Sequence, residues 1–221
     1  MRCCTALALM LGLAPAAGAQ NAFEGVVTYK MNSDKGTLMT TMTYTAKGNK
    51  VFWQSADAND PSKSAGIILD GDAHTMTMII PQQQMYIVQP FNEKMAVPDS
   101  MRSGSWKLNK IGSETVAGVS CDDYQVVDPQ GKPDEKICAA HGLGNFTMGG
   151  TMDKSARNQW ASHLSGMTSA MAGGFFPLKA VRADGSTEME AVKVEKSSVS
   201  DATFAPPAGY KAMSVPAGAR H

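Results

Sequence analysis

The chain has no surplus of charge: 20 basic residues balance 20 acidic ones over 221 residues, and charged side chains make up only 18%. A nucleic-acid binder or a polybasic membrane-surface protein needs an excess of Lys and Arg, so both classes drop out. Aromatic residues are also scarce at 7%, yet 43% of the chain is apolar, too much for a disordered tail. No segment approaches the roughly 18 consecutive apolar residues that mark a membrane-crossing helix. Catalytic motifs are missing as well: there is no G-x-S-x-G, H-E-x-x-H, P-loop or G-x-G-x-x-G, and no carboxylate pair or nucleophile with a base stands at motif spacing. The expectation is a protein that is not an enzyme and that needs no cofactor.

What is present begins with an address. Met1-Arg2 is followed by an apolar run over residues 5–14, then Pro15 and the small-residue stretch Ala16–Ala19. This pattern predicts a secretory signal peptide over 1–19, cleaved after Ala19, and a periplasmic or secreted mature chain. The signal takes with it Cys3 and Cys4, which precede the apolar run and so do not stand where a lipid anchor would need a cysteine. The remaining two of four cysteines, Cys121 and Cys138, are expected to pair in an oxidising compartment. Residues 119–127 and 135–140 read as two strands of a hairpin. A turn centred on Pro129-Gln130 would set the two cysteines directly opposite each other.

From residue 20 to 221 the sequence reads as one β-rich domain. Period-two alternation runs through 22–31, where Phe23, Val27, Tyr29 and Met31 share a face, and through 38–45. Lys47-Gly48-Asn49 is a tight turn into 50–55. Further strands are expected at 65–70, 73–80, 84–89 and 105–112, then the cysteine hairpin, then 177–183 and 187–196 joined through Asp184-Gly185. Short connections imply antiparallel pairing of about eleven strands. The tail from about 205, with Pro206, Pro207 and Pro216, is expected to lie extended over the surface.

One segment departs from this period. Met152, Ala156, Trp160, Leu164, Met167 and Met171 recur at spacings of three and four, a helical stripe over 151–171 that ends at Gly173-Gly174. A helix of that length is about 30 Å long and could cross the face of a sheet. The predicted fold is therefore mainly β (α+β): a strongly curved antiparallel sheet or half-barrel covered by one amphipathic helix.

Methionine is abundant, 16 residues, of which Met1 and Met10 belong to the signal. In His74-Thr75-Met76-Thr77-Met78 a strand would place one imidazole and two thioethers on the same face, a donor set suited to Cu(I). The same methionines equally fit core packing or an adaptable apolar cavity. If a cavity exists, its lining is expected from Trp53, Met76, Met78, Met85 and Ile87, closed by Trp160, Leu164 and Met167.

The order of motifs resembles that of a known family. Phe23-Glu24-Gly25-Val26-Val27-Thr28-Tyr29, Tyr44-x-x-Lys47-Gly48-Asn49-Lys50, and Met76-Thr77-Met78 leading to Gln84-Met85-Tyr86 occur in sequence. Gly112-x-Glu114-x-Val116-Ala117-Gly118-x-x-Cys121-x-x-Tyr124 and the closing Phe204-Ala205-Pro206-Pro207-Ala208-Gly209-Tyr210 follow. Together they resemble the bacterial family catalogued as domain of unknown function 4412. That family is similar in layout to periplasmic lipoprotein carriers, whose curved sheet and covering helix enclose an apolar cavity for acyl chains. The resemblance implies a fold and a compartment, and carries no catalytic residue. Three functions remain open from the sequence: an exported binding protein for a lipid or other apolar small molecule, a periplasmic copper-binding protein using His74, Met76 and Met78, and an envelope module that binds a protein partner.

Overall fold

The computed structural model describes residues 23–32, 39–56, 65–90, 107–128, 130–144, 146 and 175–213. They form one open, twelve-stranded sheet built from two meanders. The first comprises β1 (Gly25–Asn32), β2 (Met39–Lys47), β3 (Lys50–Ala56), β4 (Gly66–Asp70), β5 (Thr75–Ile80) and β6 (Met85–Pro90). The second comprises β7 (Lys107–Val116), β8 (Val119–Val127), β9 (Pro133–Ala140), β10 (Phe176–Val181) and β11 (Thr187–Lys196). A final two-residue strand, β12 (Lys211–Ala212), joins the outer edge of β6. Each meander pairs its neighbours in chain order, as short turns require, and the two are joined where β1 meets β11.

The count exceeds the expected eleven by β12, and that strand also breaks the all-antiparallel rule, because it pairs with β6 in parallel. Two residues give no periodicity to read, so only the tertiary path of the C-terminal segment defines it. The expected signal peptide and the helical stripe with Trp160, Leu164 and Met167 lie outside the described residues.

Local chemistry explains the turns. Gly48, in the Lys47–Lys50 hairpin, has φ +56°. Between Val116 and Val119 both central residues are left-handed, Ala117 at φ 49° and Gly118 at φ 79°, as a two-residue hairpin matched to strand twist needs. Asp128 closes the β8–β9 loop by accepting hydrogen bonds from the backbone N–H groups of Gln130 and Lys132.

Register shifts explain two exposed aliphatics, Ile111 and Val192. Lys110 pairs with Tyr124 and Gly112 with Asp123, leaving Ile111 as the extra residue of a bulge; it is 54% exposed. In β11, Thr28 pairs with Lys193 and Tyr29 with Ala191, so Val192 is likewise extra, and it is 45% exposed. At the far end the sheet curls enough for β7 to approach β11, although three strands lie between them. Lys179 on β10 thus reaches Glu114 on β7 at 3.2 Å.

The main core is gathered on one face. Val27, Tyr29, Tyr44, Ala46, Val51, Trp53, Ile67 and Leu69 are all buried there with Phe146, Phe176, Leu178 and Met189. A smaller cluster holds Val126, Ile137, Ala139 and Phe175. Fully burying each large side chain contributes about 1.5–3 kcal/mol, so the aromatic and aliphatic rows dominate the stability of the sheet.

Candidate functional site

The pairing places the expected lining residues in rows across the first meander. Tyr44 faces Trp53, Trp53 faces Ile67, Ile67 faces Met78, and Met78 faces Ile87. A second row runs Ala46, Val51, Leu69, Met76 and Gln89, and a third pairs Ile80 with Met85. Trp53, Met76, Met78, Met85 and Ile87 therefore share one face, as the alternation predicted. On that face β1 to β6 present no charged residue, whereas Lys30, Lys47, Lys50 and Asp70 all stand on the other.

Burial along the rows is graded. At the centre Trp53 is packed, with its ring 4.8 Å from Tyr44 and 5.0 Å from Phe146, both edge to face. Phe176 adds edge contacts to Tyr44 and Phe146. Tyr29 stacks on Trp53 and donates its hydroxyl to the Pro177 carbonyl at 2.9 Å; burial, with Tyr44 nearby, pushes its phenol well above the usual tyrosine range. Toward the β6 edge Met76, Met78, Ile80, Met85 and Ile87 are only half-buried. Trp53 thus belongs to a solid aromatic core, and the methionine and isoleucine side chains form an apolar shelf beside it. The sequence reading missed Tyr29, Tyr44 and Phe146 as partners of Trp53, and Phe176 as a partner of Tyr44 and Phe146. The alternation of β1 and β2 was the available signal for the two tyrosines; nothing local marked Phe146.

The expected copper set does not survive as one strand. β5 begins at Thr75, and His74 lies in the preceding turn with φ 51°, exposed. That turn is fixed by Asp70, which accepts hydrogen bonds from the N–H groups of Asp72 and Ala73 and pairs with Lys50 at 3.4 Å. The Ala73 N–H first, and Lys50 after it, hold the Asp70 carboxyl below its ordinary value. Extended alternation therefore stops before the imidazole, while Met76 and Met78 keep the shared face.

Cys121 and Cys138 are joined in a disulfide with Cα atoms 5.4 Å apart. They are not directly opposite, as the expected turn would place them: Cys138 faces Asp123. The loop is centred at Gln130, and a register shift between Gln125 and Val127 moves the pairing further, so the disulfide runs diagonally. Cys138, Asp123 and Glu114 bring a sulfur and two carboxylates within 4.8 Å of one another. The sulfur is committed to Cys121, and the Lys179 ammonium pairs with Glu114. Burial, and then the negative charge of Glu114, push the Asp123 carboxyl up. The group is a charge cluster over a structural staple.

The comparisons give this antiparallel-rich sheet a family. The chain belongs to the family described as "Domain of unknown function (DUF4412)", whose model matches residues 23–210. No curated protein matches significantly. Among solved structures, the chain is similar to the complex of Pseudomonas aeruginosa MucA and MucB, at 12% identity and a TM-score of 0.47, covering 89% of this chain and 59% of that one. MucB in complex with MucA(peri) gives 12% identity and 0.43, covering 89% and 58%. A LolA superfamily protein from Nitrosomonas europaea gives 10% and 0.34, covering 85% and 91%. The chain spans less than two thirds of the MucB chains it matches. Among the described residues, no helix is long and apolar enough to cross a membrane.

Proposed function

We propose that this chain is an exported, non-enzymatic binding protein that holds a lipid-like or other apolar small molecule against the uncharged face of β4 to β6. The observation that carries the reading is the half-buried shelf of Met76, Met78, Ile80, Met85 and Ile87, continuous with the aromatic core. A fully packed core would bury these side chains as it buries Ile67 and Leu69, and a purely solvated face would carry charges. Thioethers are flexible and polarizable, so such a shelf adapts to chains of differing shape. The disulfide supports work in an oxidising compartment, where such bonds persist. This reading assigns the stripe Trp160, Leu164 and Met167 to the cover over the ligand.

The test is to purify the exported protein, extract it with organic solvent and analyse the extract by mass spectrometry. Wild type is expected to release an acyl-chain molecule in near-stoichiometric amount, and a Met78→Glu/Ile87→Glu variant to release little. Repeatedly empty wild-type extracts would overturn the reading.

A further inference from the structure

After β11 the chain does not leave the sheet. Residues 197–213 turn back across it on the side of the charged face, anchored first at β1 and β2. The Ser197 N–H donates to the Glu24 carbonyl, and the Val199 N–H to the Glu24 carboxylate at 2.8 Å. Lys47 donates to the Val199 carbonyl at 2.9 Å and pairs with Asp201 at 3.1 Å. Val199 is buried, and the short 3-10 turn Asp201–Phe204, capped by the Ser200 hydroxyl, packs against β3.

The far end is held differently. Pro206-Pro207 lead into a turn in which the Tyr210 N–H donates to the Pro207 carbonyl, with Gly209 at φ +84°. Lys211 and Ala212 then lie parallel to Met85 and Tyr86, with Lys211 N–H donating to the Gln84 carbonyl and Met213 N–H to the Tyr86 carbonyl. Both β12 residues are exposed. This parallel pairing, two residues long, is the shortest in the sheet and the first expected to open. Its position matters because β6 has β5 on one side and, among the described residues, only β12 on the other. Met85 and Ile87, at the rim of the apolar shelf, belong to that same strand.

We propose that residues 197–213 are a strap that gates the apolar face: the Glu24–Lys47 end is its fixed anchor, and β12 is a releasable brace whose departure lets β6 move and the shelf open. The inference rests on the binding function proposed above. Release requires no chemistry, only loss of the few backbone hydrogen bonds of this two-residue ladder, with the turn at 207–210 as hinge.

Two full-length variants test it. Lys211→Pro/Met213→Pro removes both donors, while Tyr86→Cys/Ala212→Cys ties β12 to its cross-strand neighbour. Amide hydrogen exchange and the stopped-flow dissociation of the apolar probe 1-anilinonaphthalene-8-sulfonate are measured on each and on wild type. The proline variant is expected to exchange faster at β6 amides, with β1 to β4 still protected, and to release the probe about tenfold faster; the tied variant is expected to release it about tenfold slower. Unchanged release rates in both variants would overturn the gate and leave the binding function standing, as would β6 amides whose exchange the proline variant leaves unchanged. Loss of protection across β1 to β4 in the proline variant would make the strap a general staple, and overturns it too. Absence of probe binding to wild type would sink the apolar face, and the gate with it.

Discussion

At Gly25 a methyl group would have nowhere to go. Its φ is +149°, and a Cβ built there would sit 1.9 Å from the Glu195 carbonyl oxygen of the neighbouring strand. Gly118 is also left-handed, at φ +79°, but a Cβ there meets nothing within 4 Å. The pair separates backbone strain from collision. Gly118→Ala is expected to cost about 1 kcal/mol, the penalty for a side chain in a left-handed turn. Gly25→Ala adds displacement of β11 and is expected to cost about 3 kcal/mol or more. Urea unfolding of the two variants checks this; equal losses would mean that β11 yields freely at the seam. Residue-scale chemistry was partly legible beforehand. The shared face of Trp53, Met76, Met78, Met85 and Ile87 followed from alternation, because strand side chains alternate without exception between bulges. The fate of His74 did not, because it depends on which backbone N–H groups the Asp70 carboxylate collects.

Among the elements, β10 and β11 show how well turn chemistry and alternation locate strands: expected at 177–183 and 187–196 about Asp184-Gly185, they are found at Phe176–Val181 and Thr187–Lys196. Asp184 accepts from both the N–H and hydroxyl of Ser186, which fixes that turn locally. The β8–β9 hairpin shows the opposite. Its strands were legible but their register was not, because one extra residue in a bulge shifts every later pair. The cysteines still meet, since a diagonal pair also brings Cα atoms to 5.4 Å. Both are almost wholly buried, so alanine is a gentler replacement than serine. A Cys121→Ala/Cys138→Ala variant is expected to lose about 3 kcal/mol through the freed unfolded chain. Calorimetry or denaturant titration measures it. An unchanged midpoint would show that the β8–β9 pairing and its smaller core hold the hairpin unaided.

For the whole molecule, the seam between the meanders decides how it unfolds. β1 pairs with β11, Tyr29 donates to Pro177, Arg182 donates to the Asn32 carbonyl, and Asn32 donates to Thr187. Neither meander keeps the aromatic core alone: Tyr29, Tyr44 and Trp53 come from the first, and Phe176 from the second. Far-ultraviolet and near-ultraviolet circular dichroism are therefore expected to report one coincident unfolding transition. Two separated transitions would show that one meander stands by itself. The seam was beyond reach of local patterning, because nothing in the alternation of β1 names a partner so distant in the chain.

The same seam orders events in time. Asn32 and Thr187 are 155 residues apart, so β1 is synthesised long before the strand that will cover its outer edge exists. During that interval both edges of the first meander are bare, β1 awaiting β11 and β6 awaiting β12, and each is open to pairing with an extended segment nearby.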